Sequence, residues 1–146
     1  MKKVLFLCTG NSCRSQMAEG WAKELHPGVI EACSAGTAPG AEVDRRAIKV
    51  MAEAGVDISG GVPKNVGVFK DMEFDLVVTV CDNARETCPV YRGRGIKLHR
   101  GFDDPGTAAG KDSSDETALP VYRRVRDEIK EFIKGLPAAI TKGGTK

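Results

Sequence analysis

The sequence has few aromatic residues, no long apolar run and no excess of one charge. Aromatic residues make up 5% of the 146 residues, so the stacking surfaces that bind nucleic-acid bases are not expected. The 22 basic and 20 acidic side chains are interspersed and leave a net charge of +2, which favours neither nucleic acids nor membrane surfaces as partners. No segment approaches the roughly 20 apolar residues of a membrane span. We therefore expect a soluble, cytoplasmic, monomeric protein.

The cysteines are odd in number, and the chain is too large to need disulfide bonds for its stability. They are Cys8, Cys13, Cys33, Cys81 and Cys88. In a cytoplasmic enzyme such residues are more often catalytic, redox-active or metal-binding than structural. Their spacings differ from those of zinc sites, and neither His26 nor His99 stands at ligand spacing. We expect no metal and no cofactor, and the sequence indicates no role for Cys33.

Strand-like and helix-like patterns alternate along the chain, without repeats or a linker. Strands are predicted over residues 4–8, 29–35, 74–80 and 96–99, and helices over 15–26, 44–54 and 119–134. Asp44 is the predicted cap of the second helix. Buried apolar strands that alternate with helices are typical of a parallel sheet covered on both faces. The prediction is an α/β fold: a single three-layer domain over residues 1–135 with a four-stranded parallel sheet. A flexible tail is expected over residues 136–146.

The first strand and the first helix are joined by a segment that we name the Cys8 loop (residues 8–15). Its sequence is Cys8-Thr9-Gly10-Asn11-Ser12-Cys13-Arg14-Ser15. A small-residue loop that leads into a helix directs backbone N–H groups at an oxyanion, and Arg14 adds a planar fork for two of its oxygens. The helix and Arg14 favour the thiolate of Cys8. The pattern predicts attack by the Cys8 sulfur on a bound oxyanion; the competing interpretation is a core cysteine beside a solvated arginine.

Two further cysteines follow the third predicted strand. If the strands ending at Cys8 and Cys81 are neighbours, their ends lie about 5 Å apart, within the span of a disulfide. Cys81 could then attack an adduct on Cys8. Cys88 would be about 10 Å from Cys81 along an intact helix, so a bond between them requires the segment to unwind. Alternatively, Cys81 is a small buried residue and Cys88 merely precedes a helix-ending proline.

An acidic pair, Asp103-Asp104, precedes Pro105 in the loop after the fourth predicted strand. A carboxyl group at that edge of the sheet could protonate an oxygen that leaves the oxyanion. Adjacent aspartates before a proline also commonly form turns or caps. The sequence position leaves both interpretations open.

Five separate segments resemble the thioredoxin-coupled arsenate reductases, which share the fold of the low-molecular-weight protein tyrosine phosphatases. They are residues 8–21, 34–36, 75–81, 88–89 and 101–105, within a similarity that runs from about residue 2 to 134. The resemblance implies reduction of arsenate to arsenite, with phosphate and sulfate as mimics of the substrate. It also implies a relay in which Cys8 is the nucleophile, Cys81 attacks Cys8, and Cys88 forms the final disulfide with Cys81. Thioredoxin would then reduce that disulfide.

The resemblance extends to the binding groups. It implies that residues 9–15 of the Cys8 loop bind the oxyanion together with Arg14, that Ser15 supports the thiolate, and that Asp104 is the general acid. Some members of the family hold a potassium ion with an acidic side chain and the groups that match Asn11, Glu19 and Ser34. Here Lys64 stands at the acidic position: its ammonium group could replace the ion by pairing with Glu19, or Lys64 is a solvated lysine of the loop. We expect no requirement for potassium. The link over residues 107–117 is longer than is usual in the family.

Two other functions fit part of the pattern. A phosphatase would use the same loop to hydrolyse phosphate monoesters through a phosphoryl group on Cys8, but it leaves Cys81 and Cys88 without a task. Gly106 also provides no aromatic wall for a phosphotyrosine ring. A protein that only binds an oxyanion would need neither the nucleophile nor the acid.

Overall fold

Parallel strands form the centre of the molecule. The computed structural model describes residues 1–80, 95–110 and 112–137. The strands of these residues are β1 (Lys2–Cys8), β2 (Ile30–Gly36), β3 (Leu76–Thr79) and β4 (Ile96–His99). They form one sheet in the order β2-β1-β3-β4, and every neighbouring pair is parallel. The predicted α/β fold with a four-stranded parallel sheet is confirmed.

The helices of the described residues begin where local side chains can cap them. They are α1 (Arg14–Leu25), α2 (Arg45–Glu53), α3 (Pro105–Ala109) and α4 (Asp115–Lys134), with a 3₁₀ helix over Val66–Phe69. Asp44 caps α2, as predicted, by accepting the Arg46 N–H. The last helix begins at Asp115, earlier than the predicted residue 119, because Ser114 caps the Thr117 N–H. Acidic residues in its first turn also suit the helix dipole.

The sheet buries apolar side chains on both faces. Val4, Phe6 and Val78 belong to the large core shared with α1, α2 and α4. Leu5, Leu7, Ala35, Phe74 and Val77 form a second cluster on the opposite face, where the segment with the 3₁₀ helix packs. This alternation, two residues per period, places the sheet between two layers. The three-layer arrangement is therefore confirmed.

The packed part of the chain continues past the boundary expected at residue 135. Leu136 is completely buried in the large core, so the domain includes at least this residue. The rest of the expected tail, from residue 138, lies outside the described residues. No helix within the described ranges has both the length and the apolar character of a membrane span.

Candidate active site

The sulfur of Cys8 lies buried at the carboxyl end of β1 and has two polar neighbours. The Asn11 N–H donates to Cys8 Sγ at 3.1 Å, and Ser15 Oγ lies 2.9 Å from the same sulfur. Asn11 Nδ2 donates to Ser15 Oγ at 2.8 Å, so the Ser15 hydroxyl group is held between Asn11 and the sulfur. A thiolate at this position would accept hydrogen bonds from both groups.

Asn11 adopts the left-handed conformation at the turn of the Cys8 loop, with φ of 49°. Asparagine tolerates this region better than most residues. The side chain is completely buried, and its Oδ1 accepts the Lys64 N–H at 2.9 Å. Gln16 Nε2 donates to the Asn11 carbonyl oxygen at 3.1 Å. These contacts hold the turn that presents the Asn11 N–H to the sulfur.

The outer face of the Cys8 loop is held by residues 38–44. Three of their N–H groups bind carbonyl oxygens of the loop: Ala38 with Thr9 (3.0 Å), Gly40 with Gly10 (3.0 Å) and Asp44 with Ser12 (2.7 Å). These bonds engage the carbonyl oxygens on the outside of the loop. Backbone N–H groups on the inside are thereby favoured as anion ligands, because a curved run of N–H groups forms an anion-binding concavity.

Gly36, at the end of β2, touches the backbone of the Cys8 loop. A Cβ atom at Gly36 would lie 2.7 Å from the Cys8 carbonyl oxygen and 2.9 Å from the Thr9 carbonyl carbon. Real Cβ contacts are not this short, so a side chain would displace the loop. Glycine therefore allows β2 to end directly against the segment that carries the nucleophile.

A cavity of about 270 Å³ opens at the Cys8 loop. It is lined by Cys8, Thr9, Gly10, Ser12, Cys13, Arg14 and Asp104. Arg14 is buried, with one guanidinium nitrogen 3.1 Å from the Phe102 carbonyl oxygen and another 3.9 Å from Asp104 Oδ2. A sulfur nucleophile, a cation and a carboxyl group thus line one space. Such a site can bind an oxyanion, attack its central atom and protonate a leaving oxygen.

The two adjacent aspartates occupy different environments. Asp104 lines the cavity and caps α3, accepting the Gly106 N–H and the Thr107 hydroxyl, each at 3.1 Å. Asp103 instead pairs with Arg124 on α4 at 3.0 Å. The cap interpretation of the pair is thus correct for Asp104. Its position in the cavity also supports the acid interpretation, which Asp103 does not share.

The comparison with known families agrees with this geometry. The family model described as low molecular weight phosphotyrosine protein phosphatase matches residues 3–146. The chain belongs to this family. Several of its curated relatives are named arsenate reductases. That of Halalkalibacterium halodurans is 44% identical over 133 residues, 91% of this chain and 93% of the relative.

A second relative and a solved structure are also similar to this chain over most of its length. The arsenate reductase of Bacillus subtilis is 41% identical over 133 residues, again 91% of this chain and 93% of the relative. A solved structure described as an arsenate reductase in the phosphate binding state superimposes with a TM-score of 0.79 at 37% identity. It covers 96% of this chain and 99% of that one. The resemblance to the arsenate reductases is confirmed.

The other described cysteines, Cys13 and Cys33, lie in surroundings that raise their pKa values. Burial raises the pKa of Cys13 well above its usual value, and the nearby Asp44 and Asp104 carboxylates act in the same direction. Cys13 therefore lines the cavity as a neutral thiol. Cys33 is half-buried on β2 and packs against the second core cluster. Its pKa is raised mainly by burial and, to a smaller extent, by the negative charge of Glu19. It is not among the residues that line the cavity.

The strand that precedes Cys81 lies where the sequence argument requires. β3 is parallel to β1 and pairs Thr79 with Leu7. The Val80 N–H continues the contact by donating to the Leu7 carbonyl oxygen at 2.8 Å. Cys81 and Cys88 themselves lie outside the described residues, so the neighbouring strands are confirmed and the relay stays a prediction.

Of the two interpretations of Lys64, the pairing with Glu19 is wrong. Glu19 pairs with Lys23 at 2.7 Å and accepts the Ser34 hydroxyl at 2.7 Å. Lys23 follows Glu19 by one helical turn of α1, so its ammonium group reaches the carboxylate readily. The Lys64 ammonium group donates to the Val62 carbonyl oxygen at 2.8 Å. Among the described residues, no group of three or more His, Cys, Asp or Glu side chains could hold a metal ion.

The sequence did not indicate the groups that support the site from a distance. Residues 38–44 are attached to the Cys8 loop, and Asp44 was predicted only as a helix cap. The Phe102 carbonyl oxygen, which receives Arg14, was likewise not anticipated. These are backbone contacts between separate segments, which leave no residue-type pattern. The one available signal was the apolar side chain of Phe102, which is buried and so fixes the position of this residue.

Proposed function

We propose that this chain reduces arsenate to arsenite, with Cys8 as the nucleophile. The observation that carries the proposal is the cavity that Cys8, Arg14 and Asp104 line together. Arsenate is chosen as the substrate because the relatives of Halalkalibacterium halodurans and Bacillus subtilis are named arsenate reductases. The similarity covers 93% of each of them. Residues 9–15 of the Cys8 loop would hold the oxyanion through their N–H groups and the side chain of Arg14.

In the first step the Cys8 thiolate attacks arsenic(V). An S–As bond forms, an As–O bond breaks, and the departing hydroxide takes a proton from the carboxyl group of Asp104 to leave as water. Arg14 balances the charge of the remaining oxygens. Asp104 lies within reach because its carboxylate and Arg14 face the same cavity, 3.9 Å apart.

In the second step the Cys81 thiolate attacks the Cys8 sulfur. The S–As electron pair moves to arsenic, which becomes arsenic(III) and leaves as arsenite, while Cys8 and Cys81 form a disulfide. Cys88 then attacks Cys81, so that Cys8 is released and a Cys81–Cys88 disulfide remains. A dithiol of thioredoxin takes up that oxidation. Adjacent strands β1 and β3 support the second step, and the family resemblance supports the third.

Counting free thiols tests the proposed reaction. When the reduced protein meets arsenate without a reductant, we expect about two thiols to disappear for each arsenite released, because each reduction forms one disulfide. Inorganic phosphate serves as the matched control and should consume none. Arsenite release without loss of thiols, or loss of thiols with phosphate, would contradict the proposal.

The phosphatase reaction is a second candidate, favoured by the family model and by the shared cavity. A phosphoryl group on Cys8 would be hydrolysed without oxidising any thiol. Gly106, directly after Asp104-Pro105, offers no ring to stack on a phosphotyrosine. We therefore expect at most weak hydrolysis of small aryl phosphates.

We also expect no requirement for potassium. The Lys23 ammonium group supplies a positive charge 2.7 Å from Glu19, which is what a bound monovalent cation would provide. Arsenate kcat/KM should therefore be the same in potassium and in sodium at equal ionic strength. Lys23→Gln, which keeps a polar side chain but removes its charge, should be the variant in which a potassium effect emerges. A clear gain of the parent protein in potassium would refute this expectation.

A further inference from the structure

Tyr122 and Asp44 join α4 to the start of α2 through one short hydrogen bond. The Tyr122 hydroxyl donates to Asp44 Oδ2 at 2.5 Å. The ring is 2% exposed, and burial together with the bond to Asp44 raises the pKa of Tyr122 far above its usual value. The phenol therefore keeps its proton and remains a donor. The other carboxylate oxygen, Asp44 Oδ1, accepts the Arg46 N–H at 2.8 Å.

The same aspartate is attached to the Cys8 loop through its backbone. The Asp44 N–H donates to the Ser12 carbonyl oxygen at 2.7 Å, the shortest of the three bonds on the outer face of the loop. Asp44 also lies close enough to Cys13 to raise the pKa of that thiol. One residue thus meets α4 with its side chain and the oxyanion loop with its main chain.

Several other contacts also join α2 to α4. Arg123 of α4 makes two bonds to Glu53 of α2, at 2.9 and 2.8 Å. Arg126 donates to the Val50 carbonyl oxygen at 2.9 Å, and Arg46 pairs with Asp115 at 2.9 Å. The feature that distinguishes Tyr122 among these contacts is its connection to the loop.

We propose that Tyr122 is a positioning residue for oxyanion binding, acting through Asp44 on the part of the Cys8 loop around Ser12. The hydroxyl fixes the Asp44 carboxylate, the carboxylate fixes the start of α2, and the Asp44 N–H then holds the Ser12 carbonyl oxygen outward. The loop N–H groups stay directed at the cavity without rearrangement on binding, which is the advantage of a preorganised site. The inference rests on the oxyanion binding of the proposed function.

The decisive variant is Tyr122→Phe, which removes only the hydroxyl group. We expect the dissociation constant for inorganic phosphate, measured by calorimetry, to rise by up to about tenfold, because the loop must then be ordered on binding instead of being held in place beforehand. Arsenate KM should rise to a similar extent while kcat stays within about twofold, because Cys8 and Asp104 are unchanged. Arg123→Gln is the matched control: it weakens the contact of the same two helices without touching the loop, and it should leave phosphate affinity unchanged.

Asp44→Glu provides an independent test, also if Tyr122→Phe does not fold. It preserves the charge but moves the carboxylate by one methylene, so the bonds to Tyr122 and to the Arg46 N–H are not both kept. Phosphate affinity should fall in this variant as well. Parent-like affinity in either variant, or an equal loss in Arg123→Gln, would overturn the role of Tyr122. A parent protein that does not bind phosphate would contradict the proposed function too.

Discussion

A Cys88→Ser variant should reduce about one arsenate per molecule and then stop, even with thioredoxin and its reducing system present. In the proposed relay, arsenite is released when the Cys8–Cys81 disulfide forms, so the first turnover does not need Cys88. Further turnovers need Cys8 to be regenerated. Cys8 is 3% exposed, so we expect that a protein reductant cannot attack its sulfur directly. Arsenite released per molecule, followed over time, measures the effect.

The trapped state can be identified directly. Digestion of the stalled Cys88→Ser variant under non-reducing conditions should give a peptide that links Cys8 to Cys81. Cys33→Ser is the matched control, because Cys33 is half-buried in the second core cluster and does not line the cavity; it should turn over repeatedly. Sustained turnover of Cys88→Ser with thioredoxin would contradict the relay.

An Asp104→Asn variant should lower kcat by about 10²–10⁴-fold, the range that general acid catalysis contributes. Without a proton donor in the cavity, hydroxide must leave arsenic unaided. Asparagine is as good a helix cap as aspartate, so it retains the start of α3 and the stability of the loop. Steady-state kcat, with phosphate binding measured in parallel, separates loss of the acid from loss of the site.

Asp103→Asn is the natural control for this change. It makes the same chemical change, carboxylate to amide, at the neighbouring residue. The carboxylate that it removes pairs with Arg124 and does not face the cavity. Its kcat should remain within about twofold of the parent, since loss of an exposed ion pair costs little. Equal losses in the two variants would show that the acidic loop acts through its charge and not through one proton donor.

The sequence predicted those parts of the molecule that depend on neighbouring residues. Apolar runs such as residues 4–8 have the composition of strands buried on both faces, which allows few arrangements other than a parallel sheet. Cys8, Arg14 and Ser15 lie within one loop between a strand and a helix, so their convergence follows from local geometry. Placing Asp104 beside Cys8 needed the topology as well. Both residues follow strands of a parallel sheet, and the carboxyl ends of such strands share one edge.

The parts that were missed depend on contacts between distant segments. One interpretation paired Lys64 with Glu19, from its alignment with an acidic position, yet Lys23 lies one turn away on the same helix and forms the ion pair. The role of residue 44 as a helix cap was predictable, but its bonds to Ser12 and Tyr122 join residues 32 and 78 positions away. Such contacts are set by how α2 and α4 pack, which propensity and periodicity do not encode.

The contact between β2 and the Cys8 loop also restricts how this chain can evolve. A methyl group at Gly36 would displace the backbone that carries the nucleophile, so descendants that retain the chemistry are confined to glycine there. At Gly40, the nearest atoms to an added methyl group would lie 3.8 Å away, an ordinary packing distance. Two glycines close to the same loop therefore differ in mutational freedom: one is fixed by geometry, and the other is open to drift.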